Sequence, residues 1–134
     1  MSDEGSVWLQ YARENLQVAR MTLESGLLNP CLQNAQQAVE KALKAILVHR
    51  NKPLKRTHSI RDLERDLRMD GLETGLAEED CELLDSIYVS SKYPLDSVLP
   101  YSPPDLATSE RCVELARRAV ALAETATETR DLGH

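Results

Sequence analysis

Aromatic residues are scarce in this 134-residue sequence, which contains no Phe, one Trp and four Tyr. The core must therefore consist of Leu, Ala, Val and Ile, and such small aliphatic side chains favour close packing of helices. No β-branched run alternates with period two, so no strands are predicted. No stretch of about 18 consecutive apolar residues occurs, so no membrane-spanning helix is expected.

Sequence signals for metals, cofactors and secretion are also missing. The sequence lacks a Walker loop, GxGxxG, HExxH and CxxC, so no cofactor or metal is expected. Its three cysteines, Cys31, Cys81 and Cys112, are far apart in helical patterns, which predicts buried free thiols. The opening MSDEGS lacks a basic segment followed by an apolar one, so a signal peptide is not predicted and a cytoplasmic protein is expected.

Positive charge is concentrated in one segment. The net charge is -6, yet residues 41–61 contain seven Lys or Arg and no Asp or Glu. The other residues therefore sum to -13, since -6 minus 7 is -13. This distribution argues against general DNA binding and favours one local anion site, or one face that meets an acidic partner.

Apolar residues at helical spacing predict five helices in a single domain of residues 1–134. The fold class is all-α, an antiparallel up-and-down four-helix bundle with an additional short helix. Residues 6–127 are expected to be ordered and the tail 128–134 frayed. The predicted helices span about 6–25, 29–50, 59–69, 77–93 and, from a start between Ser102 and Thr108, up to about Thr127.

Capping residues set these boundaries. Gly26 suits the left-handed position that ends a helix. Asn29 followed by Pro30 is typical of a helix start. Ser59 with Asp62 resembles a capping box, and Ser102 is the predicted cap of the last helix, with Thr108 as the second choice.

The second helix is predicted to be central, because its apolar arc is too wide for a helix at the surface. Gln36 falls inside this arc, in line with Leu32 and Leu43. It can be a buried hydrogen-bonding residue that ties the helix to the turn at Tyr93 and Pro94, or a functional residue. Glu40 and Lys44 have the spacing of an ordinary surface ion pair.

His58 is the histidine with most chemical interest. It follows Lys55, Arg56 and Thr57 at the entrance of the third helix. A helix N-terminus beside cations can bind a phosphate. Alternatively, Thr57 and His58 cap the helix and fix the loop. Tyr88 lies on the buried stripe of the fourth helix, where a core residue or a stacking surface is possible.

Three segments carry a resemblance to a known family. NAQQAVEKALKAILVHR followed by THSIRDL is similar to the AQQAxEKxLKAxL and THxLxxL signatures of the prokaryotic HEPN domain family. ESGL at 24–27 resembles the turn that ends that family's first helix. YVSSKYP at 88–94 resembles its Y-x-x-x-RYP segment, with Lys92 where Arg is usual.

The resemblance implies a bundle that is often a homodimer, found alone or beside a minimal nucleotidyltransferase in toxin–antitoxin pairs. Nucleotide binding is proposed for the family. Many relatives are metal-independent ribonucleases with an R-x(4–6)-H motif, which this sequence lacks. Ribonuclease chemistry would therefore fall to His58 with Arg56 or Lys92.

Three hypotheses follow from the sequence. The first is a non-catalytic bundle that binds a nucleotide or a nucleotidyltransferase partner, the second a ribonuclease of unusual motif, and the third a pure interaction module. The outer side of the first helix and the alanine-rich face of the last are both possible homodimer surfaces. The predicted ligand-binding residues are Gln36, Glu40, Lys41, Lys44, Arg56, His58, Tyr88, Lys92 and Tyr93.

Overall fold

A computed structural model describes the backbone of residues 3–54, 56–92 and 103–132, and the side chains of 4–54, 56–89 and 103–127. Within these ranges the chain is all-helical, with five helices and no strand. The predicted all-α class is confirmed. The helices are α1 (Asp3–Glu24), α2 (Leu28–His49), α3 (Ile60–Met69), α4 (Glu78–Lys92) and α5 (Leu106–Leu132).

The helices α1 and α2 form an antiparallel hairpin. Trp8 in α1 lies against Lys44, near the end of α2. Asn15, two turns further along α1, donates to Asn34, near the start of α2. Gly26 adopts the predicted left-handed conformation, with φ of 75°, and the next amide, of Leu27, bonds back to Thr22 O at 2.9 Å. The chain therefore reverses its direction within the three residues 25–27 that connect the two helices.

The predicted N-cap of α2, Asn29, is wrong by two residues. Leu27 is the N-cap and no side chain caps the helix, so Asn29 lies inside the first turn. Pro30 is tolerated there because the first-turn amides have no partner within the helix. Cys31 is the first residue to donate along the helix, to Leu27 O at 3.1 Å.

The predicted central position of α2 is confirmed, because it packs against all four other helices. Ala35, Ala38, Ala42 and Ala45 are fully buried, and these small side chains let neighbouring helices approach closely. On the α3 side, the buried stripe is Ile60, Leu63 and Leu67, as predicted.

The last helix differs from its prediction at both ends. Asp105, rather than Ser102 or Thr108, caps α5, since its Oδ1 accepts from the Thr108 amide at 2.7 Å. The helix also continues to Leu132, past the predicted end near Thr127. Its alanine-rich face is buried within the chain, so it is not a surface for a second copy. The buried residues of this face are Cys112, Val113, Ala116, Ala119, Val120 and Ala123.

None of the helices in the described ranges is long and apolar enough to cross a membrane. The prediction that Pro94 ends the fourth helix, and the proline-rich loop after it, lie outside the described residues.

Candidate functional site

A column of three polar residues is buried along one side of α2. Gln36, Glu40 and Lys44 are spaced four apart, so they lie one above the other on the same helix face. Their relative exposures are only 1%, 2% and 6%. Gln36 Nε2 donates to Glu40 Oε1 at 3.4 Å, and Lys44 Nζ donates to Glu40 Oε2 at 3.0 Å. The column is therefore a continuous chain of hydrogen bonds.

The prediction that Glu40 and Lys44 form a surface pair is wrong. Both side chains are covered by other parts of the chain, Lys44 by the Trp8 ring, 5.2 Å from its Nζ. A buried charge is costly unless it is paired and hydrogen-bonded, and each charge of this pair compensates the other. Sequence spacing alone could not reveal the burial, because Trp8 is distant in the chain.

His58 connects this buried column to solvent. Its Nδ1 lies 3.3 Å from Glu40 Oε2, while 56% of its side chain is exposed. A neutral imidazole bound in this way donates from Nδ1 and leaves Nε2 as an acceptor. Within the described residues, Nε2 has no hydrogen-bond partner.

The Tyr88 ring fixes the orientation of the imidazole. The two ring centroids are 4.7 Å apart with an interplanar angle of 20°, which is a stacked pair. His58 is thus held in its plane by Glu40 and across its face by Tyr88. Neither contact was predicted from the sequence, although both residues were candidates.

The N-terminus of α3 is already occupied by a carboxylate. Asp85 of α4 accepts from the backbone amides of Ile60 at 2.7 Å and Arg61 at 3.3 Å, and from Ser59 Oγ at 3.2 Å. An anion at this helix end satisfies the free amides and the helix dipole. The hypothesis that a phosphate binds at these amides is therefore wrong, because Asp85 takes that position.

The alternative prediction, that Thr57 and His58 cap α3 and fix the preceding loop, is correct only in part. Ser59 Oγ accepts from the Asp62 amide at 3.2 Å, which confirms half of the capping box. Thr57 Oγ1 accepts from the Ser59 amide at 3.1 Å, so Thr57 fixes the loop as expected. His58 contributes no cap, since its ring is bound to Glu40.

Asp85 is the site residue that sequence reasoning missed. It lies three residues before Tyr88, so one turn of α4 carries both the carboxylate that anchors Ser59 and the ring that stacks on His58. An acidic residue within a predicted helix gives no sign of a partner 25 positions earlier. Only the packing of α4 on α3 makes the contact.

The predicted ligand-binding residues do not all converge. Lys41 faces α1, where its Nζ donates to Asn15 Oδ1 at 3.1 Å and lies 5.5 Å from the Tyr11 ring. Arg56 is exposed two positions before His58. The Lys92 side chain and Tyr93 lie outside the described residues, and so does the predicted link from Gln36 to the Tyr93 turn. The converging residues are Gln36, Glu40, Lys44, His58 and Tyr88, which we call the His58 site.

The His58 site can bind a ligand through the exposed imidazole of His58. Nε2 accepts a hydrogen bond when the imidazole is neutral, and donates one to an anion when it is protonated. In the described parts of the chain, no cluster of three or more His, Cys, Asp or Glu is arranged to hold a metal.

Comparison with known proteins identifies one family, and the similar solved structures include the two described below. The sequence model of the family described as HEPN domain matches residues 6–126. The structure titled TT1696, from Thermus thermophilus, is 29% identical, with a TM-score of 0.75 over 93% of this chain and 99% of that one. ST0689, titled an archaeal HEPN homologue, is 25% identical, with a TM-score of 0.69 over 92% of this chain and 97% of that one. No curated protein matches.

Proposed function

Since the chain belongs to the HEPN domain family, we propose that it is a non-catalytic binding module that takes a nucleotide at the His58 site. The observation that carries this proposal is the exposed imidazole held by a buried carboxylate and a stacked ring. An imidazole fixed in this way is pre-organised for a ligand, which lowers the entropy cost of binding.

The charges around the site support an anionic ligand. Arg56 is exposed two positions before His58, whereas Arg50, Lys52 and Arg61 pair with Asp70 or Glu78 away from the site. Arg56, and His58 when it is protonated, supply the phosphate contacts. The missing R-x(4–6)-H motif favours holding the nucleotide over cutting RNA.

Thermal melting with added nucleotide tests this function. A ligand at 100 times its Kd stabilises the protein by about 2.7 kcal/mol, which raises Tm by several degrees. We expect such a shift with mono- or triphosphate nucleotides in wild type and its loss in His58→Ala. Arg117→Ala, on the exposed face of α5, is the control and should keep the shift. No shift with any nucleotide at millimolar concentration, or a full shift in His58→Ala, contradicts the proposal.

A second candidate function is a ribonuclease of unusual motif. The contact of Glu40 with His58 Nδ1 favours it, because a carboxylate that orients a histidine leaves Nε2 for proton transfer. RNA cleavage by wild type that is lost in both His58→Ala and Glu40→Gln would support this function. Cleavage that survives both substitutions indicates a contaminant.

Partner binding is the remaining part of the proposal. A nucleotidyltransferase that forms a toxin–antitoxin pair with this chain is the proposed hetero-partner, and a homodimer is the proposed assembly. Purification of the untagged protein from its own cells tests the first, since the partner should co-purify and be identified by mass spectrometry. If no nucleotidyltransferase co-purifies, a pure interaction module with a different partner replaces it.

A further inference from the structure

The interior of the protein holds the His58 ring by its Nδ1 atom. Nδ1 lies 3.3 Å from Oε2 of Glu40, which is 2% exposed, whereas 56% of the His58 side chain is exposed. The two nitrogens of an imidazole point away from each other, so an Nδ1 that faces a buried carboxylate directs Nε2 outward. A neutral His58 therefore presents the lone pair of Nε2 towards solvent.

The carboxylate behind the ring makes this lone pair a better nucleophile. A bond from Nε2 to an electrophile places positive charge on the imidazole, and the Glu40 carboxylate stabilises that charge through the Nδ1 proton. Lys44 Nζ at 3.0 Å and Gln36 Nε2 at 3.4 Å hold the two carboxylate oxygens in turn. The arrangement has the general pattern of a nucleophile, a group that activates it and further groups that orient the activator.

The surroundings of His58 favour a phosphoryl group as the electrophile. Arg56, exposed two positions earlier, supplies a guanidinium for phosphate oxygens. The carboxylate of Asp85, which would repel a phosphate, is bound by the backbone amides at the start of α3. Tyr88 stacks on one face of the imidazole, and a ring in that position does not block the in-plane approach that the Nε2 lone pair requires.

We propose that His58 is a phosphoryl-acceptor site, at which Nε2 takes a phosphoryl group from an acyl phosphate and becomes phosphohistidine. The Nε2 lone pair forms the new N–P bond, and the P–O bond to the acyl oxygen breaks. The acyl group leaves as a carboxylate with the electron pair of that bond. No proton has to move, because the Nδ1 proton stays on the imidazole and is held by Glu40.

The weak basicity of the leaving group is the reason for assigning an acyl phosphate as the donor. A carboxylate departs readily, so one guanidinium and one oriented imidazole are sufficient help. A nucleoside triphosphate carries the same phosphoryl group, but the charge that develops on its leaving diphosphate must be neutralised as well. The triphosphate is therefore the alternative source that the experiment distinguishes.

This modification goes beyond nucleotide binding at the same site. It is stoichiometric, since one imidazole accepts one phosphoryl group. A phosphorylated Nε2 is no longer a hydrogen-bond acceptor, and its negative charge repels the phosphates of a nucleotide. Phosphorylation and nucleotide binding therefore exclude each other at His58, and this consequence alone rests on the proposed function.

Labelling of the full chain with acetyl phosphate, followed by mass spectrometry of its peptides, is the first test. Wild type should gain one phosphoryl group on His58, in an adduct that is labile in acid and stable in base. His58 should react about tenfold faster, or more, than N-acetylhistidine, which lacks the carboxylate. It should also react faster than the other two histidines of the chain, His49 and His134.

The role of Glu40 is tested by rate and by regiochemistry. Phosphorus NMR of labelled wild type should show the Nε2 isomer, because Glu40 holds Nδ1. Glu40→Gln combined with Lys44→Met removes the carboxylate without leaving the lysine unpaired, and it should lower the rate to that of N-acetylhistidine and give both isomers.

A matched control removes an exposed ion pair instead. Glu114→Gln combined with Arg117→Met, on α5, should keep the wild-type rate and the Nε2 isomer. Circular dichroism checks that both double variants are folded. The comparison within wild type, between His58 and N-acetylhistidine, tests the proposal even where a variant fails to fold.

Triphosphate labelling identifies the source of the phosphoryl group. His58 that is labelled by acetyl phosphate, with or without labelling by ATP and Mg²⁺, supports the acceptor role. Labelling by ATP alone overturns the assignment of an acyl phosphate as the donor.

Three results would overturn the inference. They are a His58 that reacts no faster than N-acetylhistidine, a phosphoryl group on Nδ1 in wild type, and an unchanged rate in the double variant without Glu40. A nucleotide-induced rise in Tm with an unreactive His58 leaves the proposed function standing and removes this inference. A reactive His58 in a chain that no nucleotide stabilises does the reverse.

Discussion

Lys44 Nζ lies 3.0 Å from Glu40 Oε2 and 5.2 Å from the centre of the Trp8 ring. The ammonium group therefore exchanges water for a carboxylate on one side and an aromatic face on the other. Glu40 in turn also contacts His58 Nδ1. The Glu40–Lys44 pair therefore links the packed side of α2 to the exposed imidazole. We expect that breaking it lowers the free energy of unfolding and changes the orientation of His58.

Substitution of Lys44 by Met should be strongly destabilising. The Met side chain has a similar volume, but it leaves Glu40 buried without its closest cation. Breaking a buried pair in this way typically costs about 3–5 kcal/mol. Urea denaturation followed by the emission of Trp8, the only tryptophan, measures the free energy of unfolding.

Two further variants give the matched comparison. Glu40→Leu combined with Lys44→Met removes both charges and should recover part of the loss. Arg117→Met breaks the exposed pair with Glu114, which should cost little because both groups are solvated. If Lys44→Met costs as little as Arg117→Met, the Glu40–Lys44 pair is solvated in solution and the buried column is incorrect.

Asp85→Ala should destabilise the chain and release the loop before α3. Loss of a helix cap typically costs about 0.5–2 kcal/mol, and here the amides of Ile60 and Arg61 both lose their acceptor. The His58 ring should also lose its ordered stacking on Tyr88. Thermal melting gives the first effect, and the ring-current shift of the His58 protons in NMR spectra gives the second.

Asp85→Asn separates the contribution of the hydrogen bonds from that of the negative charge, because it keeps an acceptor but removes the charge. It should preserve most of the His58 stacking shift. Asp62→Ala, which removes a partly exposed ion pair with Arg65, is the control and should leave the His58 signals in place. Unchanged His58 signals in Asp85→Ala would contradict the role of Asp85 in positioning the ring.

Local sequence patterns predicted the parts of this fold that depend on neighbouring residues. The left-handed Gly26, the Ser59 cap and the buried stripes of α2 and α3 all follow from spacing and backbone preferences within a few positions. The predicted cap of α5 was wrong because Ser102 was preferred, with Thr108 second, whereas Asp105 between them is an equally good capping residue.

Contacts between distant segments could not be predicted in this way. Gln36 was singled out because a polar residue inside an apolar arc is unusual, and it is indeed buried. The burial of Lys44 depends on Trp8, and the contact of His58 with Glu40 depends on how the loop before α3 crosses α2. Such contacts arise from helix docking, for which a single sequence carries no spacing rule.

The three native thiols should be unreactive in the folded protein. Burial raises the pKa of Cys81 and of Cys112 to about 12, and burial also raises the pKa of Cys31. Because the thiolate is the nucleophile, a neutral disulfide reagent should label none of them at pH 7. In urea it should label all three. Arg20→Cys, with one added exposed thiol, should react once; rapid labelling of wild type would contradict the burial.

Asp70 should make stability depend on pH at the acidic end. Hydrogen bonds from Lys52 and then Arg50, whose charged groups lie 2.8 Å away, lower the pKa of the Asp70 carboxyl. A folded-state pKa below the unfolded value means that Asp70 stabilises the fold above about pH 4, its ordinary pKa. This contribution is lost as the pH falls through the lowered folded pKa.

Asp70→Asn should therefore lower Tm at pH 7, and its difference from wild type should shrink as the pH falls below about 4. Lys52→Met removes the larger contribution and should raise the pKa of Asp70 towards its ordinary value, which carboxyl-carbon NMR titration measures directly. Arg50→Met should raise it less, but should loosen the end of α2 more, because Arg50 Nη1 also donates to the Asp70 carbonyl oxygen at 3.1 Å. An Asp70 that titrates at its ordinary pKa in wild type would mean that this network is not formed in solution.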